Sequence, residues 1–164
     1  GKMYFVESMP AAADFSRAIK RGMREVGRTM IKAPVSLIGV KGIRKLARQV
    51  EIWPDKFGPE KALLYLGQVI RMQEEIGTGG AGFRFIYAAF LQQAADVLAL
   101  PRLKELSAEM TAIGDRWRMF AVSGARNCKG RARPADSYPA MAAILHECAE
   151  REASLYRELL AIAH

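Results

Sequence analysis

Cysteine and histidine are scarce, with two of each in 164 residues. Cys128 and Cys148 are too few for a disulfide framework and lack a CxxC arrangement, so they read as buried or free thiols. No HExxH pattern occurs. No apolar run reaches the length of a transmembrane helix. The opening residues, GKMYFVESMP, hold no long apolar segment of the secretory kind. β-forming residues cluster only in KMYFVE, so a sheet has one candidate strand and no second. Acid is nearly missing from residues 15–48, where Glu25 alone faces ten lysines and arginines. These absences predict a cytoplasmic protein with no metal, no cofactor and no membrane span.

What is present fits one helical domain over residues 1–164. Hydrophobic residues are 51% and charged residues 26%, enough for a real core. Apolar residues recur at helical spacing in six segments, near 13–32, 40–52, 59–76, 82–100, 101–122 and 138–163. Pro34, the WPDKFGPE stretch and Pro101 punctuate them. The segment SGARNCKGRARPADS reads as a polar, basic, mobile loop. The expected fold class is all-α, a roughly six-helix bundle with one short N-terminal β-strand. That strand is expected to pair across a homodimer contact, to lie against the helices, or to join a sheet from sequence outside the chain.

The segment EEIGTGGAGFRFIYAAFL packs four glycines into six residues ahead of an aromatic-rich helix. Two readings compete. Backbone amides at a helix start can hold an anion, with Thr78, Gly79, Gly80, Gly82, Phe83 and Arg84 as the motif. Against this, no lysine completes a P-loop, and a helix rather than a strand precedes the glycines. The favoured reading is a close joint between two helices. From Ile76 to Ala95 the only charge is Arg84, so that helix is expected to be central, with Phe83, Ile86, Tyr87, Phe90, Leu91 and Ala94 mostly buried. A guanidinium in such a segment needs a partner, expected to be Glu74, Glu75 or Asp115.

The net charge is +8. Arg17, Lys20, Arg21, Arg24 and Arg28 fall on one side of the first helix and form a candidate anion-binding face. Sequence-specific nucleic-acid reading is disfavoured, because no recognition helix or interleaved aromatics accompany the face. An acidic protein fits it equally well. His146 and Glu150 share a helix face but lack the further ligands of a metal site. Cys148 lies two residues from His146, so the two face apart on a helix and form no nucleophilic pair. No catalytic residue is assigned.

Taken together, GIRKLARQVEIWPDKF, EEIGTGGAGFRFIYAAFLQQAADVL and AIGDRWRMFAV resemble a known helical domain. It is the domain of unknown function found C-terminal to the N-terminal domain of butirosin-biosynthesis-protein-H-like proteins. The resemblance spans most of the chain, and TGGAGFR is its most specific part. It implies the C-terminal part of a two-domain protein whose N-terminal part is cysteine-peptidase-like and moves an acyl group from an acyl carrier protein. The chain would then be a non-catalytic accessory domain in secondary metabolism, with the carrier protein as a possible partner. The alternative is a stand-alone helical binding module for a small anionic ligand or nucleic acid.

Overall fold

The computed structural model describes residues 3–5, 7–8, 14–76 and 80–163. Within them the chain forms six α-helices: α1 (Phe15–Lys32), α2 (Gly39–Phe57), α3 (Pro59–Glu74), α4 (Arg84–Leu98), α5 (Arg102–Cys128) and α6 (Tyr138–Ile162). Single 3₁₀ turns occupy Ala81–Phe83 and Pro134–Asp136. The all-α architecture is the expected one. The expected N-terminal strand is not seen among the described residues: Met3, Tyr4 and Phe5 are exposed and belong to no regular element, and residue 6 lies outside them. A lone β-rich run finds no ladder to join, and propensity alone does not supply one.

Local chemistry sets the helix ends. Asp14 caps α1, its Oδ1 accepting from the Arg17 amide at 2.8 Å. Ala33 turns to an extended conformation ahead of Pro34, which ends the helix. Pro59 begins α3 at a position where a missing N–H costs nothing.

Two boundaries depart from expectation. α2 does not stop near residue 52 but continues through Pro54 to Phe57. An interior proline costs a helix about 3 kcal/mol. Here the extension buries Trp53 and packs Phe57 edge-on against Tyr65, with ring centroids 5.2 Å apart. Burying a large apolar side chain contributes roughly 1.5–3 kcal/mol, which offsets the loss. α5 runs to Cys128 rather than ending near residue 122. Gly124 is a crossing residue there: a Cβ would run into Ile70 and Leu66 of α3.

The segment expected to be a mobile loop is therefore partly helix and partly a clamped turn. Asp136 is buried and accepts from Ser123 Oγ (2.8 Å) and the Arg133 amide (3.0 Å). Asn127 Nδ2 donates to the Asp136 carbonyl at 2.7 Å. These bonds tie the second 3₁₀ turn to the end of α5.

The expectation that α4 is the central helix also fails. Leu91 and Ala94 are buried, and Tyr87 and Phe90 are half-buried, but Phe83 and Ile86 are 54% and 57% exposed. Lack of charge permits burial without forcing it. α4 packs chiefly on α5. The largest fully buried side chains lie mainly on α5 and α6, including Met110, Ile113, Phe120, Leu145 and Leu159. They belong to one contiguous core that reaches every helix.

Candidate functional site

The glycine-rich joint between α3 and α4 leads into Arg84, the first residue of α4. Gly77, Thr78 and Gly79 lie outside the described residues. Beyond them, Ala81, Gly82 and Phe83 all take positive φ values, of 49°, 54° and 70°. Such a left-handed turn is costly for residues bearing a Cβ and needs support from its surroundings. Part of that support is Glu74, whose Oε1 accepts from the Ala81 amide (3.0 Å) and from Gln73 Nε2 (2.8 Å). Arg118 lies 3.7 Å from the other oxygen. A carboxylate of the chain itself thus takes the Ala81 amide.

The turn aims Arg84 inward. Its Nη1 donates back to the Gly82 carbonyl at 2.9 Å, and a Cβ on Gly82 would stand 2.5 Å from that same nitrogen. Glycine at 82 is therefore what lets the guanidinium fold over the turn. Arg84 then makes a two-pronged ion pair with Glu152 of α6: Nε to Oε1 at 2.9 Å and Nη2 to Oε2 at 3.1 Å. Glu152 is fully buried. Trp117 of α5 donates its indole N–H to Glu152 Oε1 at 2.8 Å, and its ring lies 4.4 Å from the Arg84 guanidinium carbon. The arrangement joins a bidentate charge pair, a neutral donor and a cation–π contact.

An internal ion pair was expected for Arg84, but the partner was not. Glu74 is engaged by the turn, Glu75 lies 3.6 Å from Arg71, and Asp115 is exposed. Glu152 is 68 residues away in sequence. Its signal was present in α6, where it falls in the apolar stripe of Leu145, Cys148, Ala149, Tyr156 and Leu159. A carboxylate on such a stripe requires a buried partner.

Arg84 and Trp117 also face a cavity of about 660 Å³. Its walls come mainly from α2 (Ile43, Leu46, Trp53) and α3 (Tyr65, Val69, Met72). Lys45 and Gln49, one turn apart on α2, are further polar lining groups. A smaller cavity of about 290 Å³ lies along Arg84, Tyr87 and Tyr156. Both pockets are within or near the size range of small-molecule sites, and the larger has their apolar lining.

The remaining candidates are placed as follows. Gly80 is buried in the joint and Phe83 is exposed. On α1, Arg17, Lys20, Arg21 and Arg28 are exposed. Arg28 lies 3.9 Å from Glu25. Arg24 is half-buried, and its Nη2 donates to the Ala163 carbonyl at 2.6 Å, a favourable position for a cation at the end of α6. Glu150 is held by Arg44 at 2.8 and 3.1 Å. Burial, with the nearby Glu152 charge, pushes the Cys148 thiol up to about 12, so it stays protonated at neutral pH.

Among the described residues, no helix is long and apolar enough to cross a membrane. No curated protein and no solved structure matches the chain. Residues 1–159 match a family described as a domain of unknown function (DUF4872), and the chain belongs to that family.

Proposed function

We propose that the chain is a non-catalytic helical accessory domain of a butirosin-biosynthesis-H-like acyltransferase or cysteine-peptidase-like protein, and that its α1 face receives an acidic carrier protein. In this reading it forms the C-terminal part of a two-domain protein of secondary metabolism. The observation that carries the carrier-docking step is the face itself. Arg17, Lys20 and Arg21 are exposed side by side, and no carboxylate forms an ion pair with any of them among the described residues. Cations held on a rigid helix attract an anionic partner from a distance and orient it before contact. The resemblance to the butirosin-type architecture supplies the partner class.

The test is a pair of titrations, one with an acyl carrier protein and one with a random DNA duplex, each at low and high salt. Carrier binding is expected at low salt, weakening as salt screens the face. The double variant Lys20→Glu/Arg21→Glu should lose it. Absence of carrier binding at low salt overturns the reading. Tighter, sequence-selective DNA binding overturns it in favour of a nucleic-acid module.

A further inference from the structure

We infer that the cavity between α2 and α3 is a binding site for a small apolar monocarboxylate, with Lys45 and Arg84 as the groups that receive the carboxylate. The inference goes beyond the carrier-docking reading and stands without it, because it uses no residue of the exposed α1 face.

The argument begins with the Arg84 donors. A guanidinium has five N–H groups. Three are used, two on Glu152 and one on the Gly82 carbonyl, which leaves two without an acceptor among the described residues. The side chain is 17% exposed and lines the cavity. A partly enclosed donor with spare N–H groups favours an acceptor brought by a ligand.

Charge sets the type of acceptor. Arg84 and Glu152 neutralise one another. Lys45 adds a second cation to the lining, and among the described residues no carboxylate lies within ion-pair distance of it. The site therefore carries one uncompensated positive charge, which matches one carboxylate. A dianion would place surplus negative charge beside the buried Glu152, and a cation would meet Lys45. The apolar walls, with Ile43, Leu46, Val69 and Met72, select for a hydrocarbon or aryl body. Glu152 is paired already, fully buried and not part of the cavity lining, so it holds the guanidinium in place rather than competing for the ligand.

The chain carries its own reporter. It has two tryptophans, Trp53 and Trp117, and both line this cavity. Decanoate, decanamide and decyltrimethylammonium are titrated against the intact chain while intrinsic fluorescence is followed. Decanoate should give a saturable change, at least tenfold tighter than decanamide, and the ammonium compound should be weakest. Lys45→Met should bring decanoate down to the decanamide level while leaving the amide unchanged. Val69→Phe, which fills the groove, should weaken both. Lys45 is only half-buried, so its variant keeps the test available even where the groove variant folds poorly.

No saturable response to decanoate overturns the inference. So does equal affinity for acid and amide, or indifference of decanoate to Lys45→Met. Size-exclusion chromatography showing a dimer whose fluorescence ignores decanoate would also overturn it, because a second copy would then cover the groove. Lys20→Glu/Arg21→Glu should leave decanoate affinity within twofold of the parent. Failure of carrier docking and failure of this site are thus separate results.

Discussion

Glu152 has no exposed surface, and two side chains satisfy it: the Arg84 guanidinium and the Trp117 indole. A buried ion pair adds little net stability, but removing one member leaves a stranded charge worth about 3–5 kcal/mol. Arg84→Met is therefore expected to lose stability in that range by urea denaturation. Adding Glu152→Gln should recover a large part, because the amide oxygen still accepts from Trp117 and no charge remains buried. A double variant as unstable as Arg84→Met alone would show that stranded charge is not the cause. Asp136 offers a pH test. The Arg133 amide, followed by the Ser123 hydroxyl, lowers its carboxyl to about 2, against about 3.9 in an unfolded chain. The folded state holds the proton less tightly, so the carboxylate stabilises fully above pH ~4 and stops doing so as pH falls toward 2. Between pH ~5 and ~2.5 the parent should lose more stability than Asp136→Asn. Equal losses would mean that Asp136 does not contribute to acid sensitivity.

Helix lengths were set by crossings that the local sequence only half announces. The sequence pattern puts Gly124 at the start of a loop, whereas it is the point where α5 passes Leu66 and Ile70 of α3. Gly124→Val should destabilise by about 1–3 kcal/mol, the usual range for overpacking. Gly130 has open space around the position of an added Cβ, yet its φ is +63°. Gly130→Ala therefore should suffer backbone strain only, and the smaller loss. Thermal unfolding of both variants checks this order, and a larger loss at Gly130 would contradict the crossing assignment. Pro54 misled in the same way. Proline punctuation was legible, but the gain from burying Trp53 at that end of α2 was not, because it depends on what α2 packs against.

Among the described residues, all six helices contribute to one contiguous hydrophobic core. A single core predicts a single cooperative transition. Tryptophan fluorescence reports the α2–α5 side of the cavity, and far-ultraviolet circular dichroism reports all helices. Their urea midpoints are expected to coincide. Fluorescence changing well before helicity would show that α2 and α3 open as a separate unit. The charge distribution belongs to this scale too. With a net charge of +8, exposed cations repel one another, and moderate salt should raise the midpoint while weakening polyanion binding.

The sequence by itself determined the helical class, the number of helices, most of their starts, and the need of Arg84 for an internal partner. Each follows from information within one or two turns: apolar period, caps, proline positions, and a lone charge in an apolar segment. Tertiary structure decided which carboxylate meets Arg84, that α5 and α6 rather than α4 carry most of the large buried side chains, and that residues 123–137 hold together as helix and clamped turn. It also left a cavity between α2 and α3. The reason is range. Glu152 lies 68 residues from Arg84, and a pairing across that distance depends on how α4, α5 and α6 cross, which no local pattern encodes.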